Sequence, residues 1–213
     1  PTKNYSKMTV DSDKSLFKQY SNEFLRGMSE KMRDSFSGSQ LNEFLQERFT
    51  FFREAIRRSG MVRVRKHKIS HVYLTEKNNS RCVIVEIVSP DAPFIVVTVE
   101  ALMRQLDLLI LCKLHPIIGV EMTEGKEVEK VFLPQQDLEK YDHLYLEVET
   151  EADNATLKHI ETMIAGHMLA VQLVRNHHQY MLTNLESMIE LIQTITVVSS
   201  ETKNEWSKLC GWL

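Results

Sequence analysis

Glycine, proline and cysteine are all scarce in this 213-residue chain, which has seven, five and three of them. Average usage would put glycine near 7% and proline near 5%, so their deficit works against a turn-rich sandwich or barrel and favours helices around one modest sheet. Cys82, Cys112 and Cys210 are odd in number, far apart and without CxxC spacing. Neither a disulfide framework nor a zinc site follows, and a reducing cytoplasm suits such a chain. Long apolar runs are missing too. Leu106 to Val120 is broken by Asp107, Lys113 and His115, and the start PTKNYSKM has no signal-peptide core. The expectation is no membrane span and no export address. A start at Pro1 instead of Met reads as a processed product or a piece of something longer. Neither sign of charge dominates, with 26 basic against 29 acidic side chains, and 43% of the residues are apolar. A chain of this length and composition can bury a core without metal or disulfide staples.

Residues 1–14 are polar and aperiodic, and from Leu16 the positions Phe17, Tyr20, Phe24 and Met28 recur at helical spacing. After Ser37-Gly38-Ser39, a second helix is marked by Leu41, Phe44, Leu45, Phe49, Phe52 and Ile56, with Ser39 as its N-cap and Gly60 just beyond its end. The two helices are expected to form a hairpin. Met61 to Leu74 changes to an extended, basic pattern that ends at Asn78-Asn79-Ser80. Cys82 to Val88, CVIVEIV, has the unbroken β-branched character of a strand buried on both faces.

Pro93 suits a first helical turn, and Ile95, Val99, Leu102, Met103 and Leu106 then form one helical stripe. Leu108 to Glu121 reads as a long strand in which Pro116 marks an edge or bulge. Residues 124–129 read as an acidic hairpin tip or loop. His143 to Thr150 alternates, with Leu144, Leu146 and Val148 on one side and Tyr145, Glu147 and Glu149 on the other. Asp153 and Asn154 offer caps for a helix striped by Leu157, Ile160, Met163 and Ile164, which Gly166 can close. Leu169, Val171 and Leu173 then alternate as a fourth strand would, with continuation of the helix as the rival. Met181, Leu185, Met188, Ile192 and Ile195 repeat at steps of four and three, a seam for another helix, and Ser199-Ser200 caps a final short helix.

The order strand, helix, strand, strand, helix, strand over residues 81–175 predicts an α+β fold. It is a βαββαβ ferredoxin-like layer, a four-stranded antiparallel sheet with two helices on one face. The expected organisation is a tail and helical hairpin over 1–60, the α+β domain over 61–175, and C-terminal helices over 176–213.

None of the motifs GxGxxG, GxxxxGK, HExxH and GxSxG is present. His67 and His71 would stand about 13 Å apart in an extended segment, too far for one metal ion, and the adjacent His177 and His178 read as surface residues. Arg53, Arg57, Arg58, Arg63, Arg65, Lys66 and Lys68 crowd seven cations into sixteen residues. That cluster raises anion or nucleic-acid binding as one alternative. The lack of interleaved aromatics and the acidic run Glu121, Glu124, Glu127 and Glu129 favour internal pairing instead. At Asp91, Ala92, Pro93 and Phe94 a strand ends and a helix begins, leaving backbone N–H groups and a positive dipole end that suit a small carboxylate. Asp91 suits either the ammonium group of such a ligand or a helix cap.

These same residues carry a family resemblance. The stretch from Val85 to Val120 resembles the first block of the large bacterial NAD-specific glutamate dehydrogenases, which reads as a valine-rich strand, a polar turn, an M-P-F-L-V-D-S-V helix start and an I-H-P-V strand. Ala92 to Val99 and Leu114-His115-Pro116-Ile117 stand in the last two places. Met61-Val62-Arg63-Val64 is similar to the family's K-V-R-V, Leu144 to Val148 to its M-H-I-E-I strand, and Glu205 to Leu213 to a segment ending in W-L.

The resemblance implies an ACT-like module at the N-terminal side of a longer enzyme that deaminates L-glutamate to 2-oxoglutarate and ammonia with NAD. It implies catalytic domains downstream in the same chain, a homo-oligomer, regulation by an amino-acid effector at residues 91–94, and neither catalytic residues nor cofactor within these 213 residues. A module that only holds subunits together, with no ligand, is the alternative. Two positions depart from the pattern: Val97 replaces the usual Asp, and Phe94 stands where amino-acid-binding ACT modules carry Gly.

Overall fold

The computed structural model describes residues 2–66, 82–135 and 138–212. They divide into two compact units, Pro1–Leu169 and Ala170–Leu213. The first opens with α1 (Thr2–Arg26), a short α2 (Glu30–Asp34) and α3 (Gly38–Arg57). Helix α1 starts far ahead of Leu16, so the stretch expected as a polar tail is helical. The cap of α3 is Ser37 instead of Ser39: its hydroxyl accepts from the Gln40 N–H, and Gln40 Oε1 accepts from the Ser37 N–H at 2.9 Å. This reciprocal pair satisfies two of the helix's orphan donors, which Ser39, already inside the first turn, could not do. Ser59 takes a φ of 60° and Gly60 one of 125° where the chain leaves α3. A Cβ on Gly60 would come within 3.3 Å of the Val88 carbonyl oxygen, so space as well as dihedral angle calls for glycine.

Six strands then form one antiparallel sheet: β1 (Met61–Lys66), β2 (Cys82–Pro90), β3 (Leu109–Leu114), β4 (Ile117–Met122), β5 (Val128–Phe132) and β6 (Glu139–Glu149). Central β6 pairs along one edge with β2, from Cys82↔Glu149 to Pro90↔Tyr141. Along its other edge it pairs with β3 and, beyond a break at His115-Pro116, with β4. The expected single strand 108–121 is therefore two strands on one line, because Pro116 has no N–H to give the ladder. The Pro116 carbonyl still accepts from the His143 N–H at 2.9 Å. Strand β5, whose first two residues fall in the stretch 124–129 expected as a hairpin tip or loop, returns beside β4.

Helix α4 (Ile95–Gln105) buries the expected Ile95, Val99, Leu102 and Met103. Helix α5 (Asn154–Thr194) is capped as expected by Asp153, whose carboxylate accepts from the Thr156 N–H at 2.8 Å. It does not stop at Gly166, and the fourth strand expected at Leu169 to Val174 is helix. Buried Leu157, Ile160, Ile164 and Met168 keep the helical period across the glycine, which costs a helix interior only about 1 kcal/mol. The edge place beside β2 that this strand would take in a βαββαβ layer is filled by β1, pairing Met61↔Val88 through Lys66↔Val83. The ACT-like α+β architecture holds, with six strands in place of four and the last edge supplied from the N-terminal side.

Both faces of the sheet are covered. Val83, Val85 and Ile87 lie beside Val148, Leu146 and Leu144 on one face, with the buried stripes of α4 and the first turns of α5 as its apolar cover. On the other face Ile84, Val88, Tyr141 and Tyr145 pack against Tyr20, Phe24, Phe44, Phe49 and Phe52 of α1 and α3. In the second unit, α5 is followed by α6 (Ser200–Trp212), whose first turn is capped by Ser199 accepting from the Thr202 N–H at 3.2 Å.

Candidate functional site

The turn singled out by the sequence lies at one end of the sheet. Asp91 N–H donates to the Lys140 carbonyl at 2.8 Å, and Ala92 N–H to the buried Asp142 carboxylate at 3.3 Å. The other oxygen of Asp142 pairs with His115 Nε2 at the β3–β4 break. Central β6 thus fixes the turn through Lys140 and Asp142. Phe94 is the N-cap of α4, with φ 71° and no side-chain cap hydrogen bond of its own. Its ring is 71% exposed and stays out of the turn's interior. Phe94 also holds the left-handed conformation that a glycine would take without strain.

A second cluster lies inside the molecule, and the sequence reading did not assemble it. Alternate residues of β1, β2 and β6 aim Arg63, Arg65, Glu86, His143 and Glu147 at the helical hairpin, which contributes Tyr20, Glu47 and Arg48. Glu86 sits at the centre. Its carboxylate accepts from Arg63 Nη2 at 2.6 Å, lies 3.0 Å from His143 Nε2, and is 3.6 Å from Arg48 Nε. Arg48 donates to Glu47 at 2.8 Å and to the Phe44 carbonyl at 3.3 Å, with its guanidinium 4.4 Å above the Phe44 ring. Glu47 is shared with Arg65 at 2.5 Å, and Tyr145 O–H donates to Glu147 at 2.7 Å.

Burial would raise the Glu86 carboxyl, but Arg48, His143 and Arg63 outweigh it and hold it at about 2. Burial also pushes His143 down from its ordinary value, against the pull of Glu86. His143 is therefore neutral beside an ionised carboxylate, so Nε2–H donates to Glu86. Nδ1 is left to accept from the Tyr20 hydroxyl at 3.0 Å. Phe52 stacks on the imidazole, 5.8 Å between centroids. Since Arg48, Glu86 and His143 are at most 1% exposed, no substrate reaches them. Their effect is to lock the hairpin onto the sheet. The sequence did hold a signal for them, because Glu86 is the lone charge in an apolar strand and Arg48 interrupts the stripe Phe44, Phe52 and Ile56, and a charge in such a place must be paired.

The basic segment is largely spent on internal partners. Arg57 pairs with Glu127 at 2.6 Å, Arg53 with Asp13 at 3.1 Å, Arg58 with Glu54 at 2.7 Å, and Arg63 and Arg65 with Glu86 and Glu47. The Glu127 contact is the pairing the acidic run had suggested. His67, His71 and Lys68 lie outside the described residues, and His177 and His178 are exposed on α5. Among the described residues no group of His, Cys, Asp and Glu is arranged to hold a metal ion, and no helix is long and apolar enough to cross a membrane.

A family model described as glutamate dehydrogenase, ACT1 domain, matches residues 20–164. The chain belongs to this family. The match begins within α1 and ends within α5, so it takes in the hairpin, the locked sheet face and the turn at 91–94. No curated protein and no solved structure matches the chain. Membership makes the parent enzyme an oxidoreductase that works with a nicotinamide cofactor, with catalytic domains elsewhere in its polypeptide. Among the described residues, the two strand-to-helix turns, residues 90–94 and 150–153, contain no glycine.

Proposed function

We propose that this chain is the regulatory and assembly region of a cytoplasmic, NAD-dependent glutamate dehydrogenase of bacterial type. It does not itself catalyse oxidative deamination, and it relays an amino-acid signal to catalytic domains that follow. The observation that carries this reading is the family match over residues 20–164. The sealing of the acid and base groups around Glu86 supports the non-catalytic assignment. Asp91, Ala92, Pro93 and Phe94 form the effector site in this reading, with the α4 N-terminus taking the effector's carboxylate and Asp91 its ammonium group.

Calorimetry of the purified chain with a panel of amino acids tests the effector site. Heat that saturates at one site and is abolished by Asp91→Ala is the expected result. Silence across the panel removes the effector and leaves assembly alone. A parallel assay of glutamate-dependent NAD reduction is expected to show none, and turnover by this chain would overturn the division of roles. A ligand-free assembly module is the second reading, favoured by the apolar surface of residues 170–213, where Tyr180, Met181, Met188, Leu191 and Trp206 are exposed.

A further inference from the structure

With residues 169–174 helical, a longer apolar period emerges on α5. Val171, Val174, His178, Met181, Leu185 and Met188 recur at alternating steps of three and four, one continuous heptad seam inside the second unit. Just past the seam α6 folds back on the end of α5. There Gln193 Nε2 donates to Ser207 Oγ at 2.8 Å, Lys203 Nζ donates to the Gln193 carbonyl at 3.0 Å, and Ile192 and Cys210 are buried. The seam itself stays open, with Val174 47%, Met181 46% and Met188 51% exposed.

Charge is sparse along this stretch. From Ala170 to Gln193 the acidic and basic side chains other than histidine are Arg175, Glu186 and Glu190. Set antiparallel about a two-fold axis midway between residues 178 and 181, the seam pairs Val171 with Met188, Val174 with Leu185 and His178 with Met181 of a second copy. Arg175 and Glu186 each follow one member of the Val174–Leu185 pair, so they lie on the same flank about 3 Å apart along the axis, and symmetry makes the contact twice. Neither is spent inside its own chain. Arg175 donates only to the neutral Gln172 Oε1, at 3.5 Å, and Glu186 has no ion pair among the described residues. A parallel pairing would instead set His178 against His178 and Arg175 beside Ala170, bringing no opposite charges together. Glu190 falls on the outer side of the helix in either arrangement, so no like charges meet.

We propose that the 171–188 face of α5 docks antiparallel on the same face of a second copy, with the two Arg175–Glu186 contacts fixing its direction. One polar residue in an apolar seam specifies register at some cost in stability, and His178 has that place here. The proposal rests on the ligand-free assembly reading and deepens it by naming the surface, the partner and the orientation. The overlap runs about 27 Å and offers about twelve residues a side, fewer than the roughly 20–30 of a standard stable interface, so the dimer is reversible and depends on concentration.

Sedimentation velocity over about two decades of concentration tests this, with substitutions at exposed positions of α5. The wild-type chain is expected to pass from monomer to dimer. Arg175→Glu or Glu186→Arg alone turns two attractions into two repulsions and should weaken the dimer about tenfold, whereas both reversals in one chain should restore it. Met181→Lys, which sets a cation against His178 of the other copy twice over, should weaken it further. A dimer unmoved by the single reversals and by Met181→Lys places the interface elsewhere and overturns this inference while the assembly reading stands. Single losses that the double reversal fails to restore overturn the antiparallel register on which the inference depends. A wild-type chain that stays monomeric throughout overturns both the inference and the assembly reading.

Discussion

The two faces of this sheet share their strands, yet they are held to their helices by different physics. On the face toward α4 and α5, Val83, Val85, Ile87, Leu144, Leu146 and Val148 are buried side by side, an interface that works by area. One residue along each strand, the face toward α1 and α3 carries Glu86, His143 and Glu147 among aromatic rings. Area tolerates changes of shape that conserve volume, whereas a buried charge cluster is stable only when every member is present. The hairpin is thus fastened in a single register, and α4 and α5 are fastened by burial that does not depend on protonation.

Breaking one member of the cluster should have the largest effect. Glu86→Ala leaves Arg48 buried without its central counter-charge and should cost about 3–5 kcal/mol in urea unfolding. Leu146→Ala, on the dry face of the adjoining strand, should cost about 2–4 kcal/mol from lost burial and the cavity left behind. The sharper contrast is in a double substitution: Arg48→Met with Glu86→Leu should recover part of the loss, because the fully buried guanidinium is removed with its counter-charge, while half-buried Arg63 and the His143 Nε2–H still lose their acceptor. Were the double variant as unstable as Glu86→Ala, the cluster would owe its strength to packing and the distinction between the faces would fail.

Acid should separate the faces next. The folded-state value of His143 lies below its ordinary 6.5, so the unfolded chain takes up a proton first as pH falls. The stability that a neutral His143 contributes is present above 6.5 and declines below it. Glu86 follows the same sign from a lower starting point. Its folded value of about 2 lies below the ordinary 4.5, so its contribution, on the order of 3 kcal/mol, is present above 4.5 and fades as pH drops toward 2. Urea midpoints should therefore fall in two stages on acidification. His143→Phe, which keeps a ring for Phe52 to stack on, should remove the stage that begins near 6.5 while leaving the lower one. An unchanged upper stage in that variant would assign it to another group.

The dry face was also the more legible one. The run from Cys82 to Val88, the α4 stripe and the cap at Asp153 each state one local rule in one stretch of chain; the run and the cap formed as read, and the stripe did so from Ile95 to Met103, with Pro93 ahead of the helix and Leu106 at its C-cap. Where the reading erred, a local rule was outvoted. Gly166 resembles a helix stop, but buried Leu157, Ile160, Ile164 and Met168 hold the helix through it. Strand β5 escaped notice because the Met122 to Val128 register shifts, leaving Val128 and Val131 buried three apart instead of two. The charge cluster escaped for a different reason. Arg48, Glu86 and His143 come from three distant elements, and only the pairing of β2 with β6 beneath α3 brings them to one point.

The smallest expected effect concerns the turn at the end of both faces. Phe94 holds φ 71° with its ring mostly in solvent, so the fold bears the strain of a bulky residue in the left-handed region and gains little packing in return. Phe94→Gly removes strain of roughly 1–3 kcal/mol and gives back part of that gain through the greater freedom of glycine in the unfolded chain. The net change should be a stabilisation of about 1 kcal/mol, read as a rise of a few degrees in Tm. It should appear equally at neutral and acid pH, since no member of the buried cluster touches the ring. A loss of stability instead would mean that Phe94 packs against something in solution, and the exposed side of α4 would then be covered.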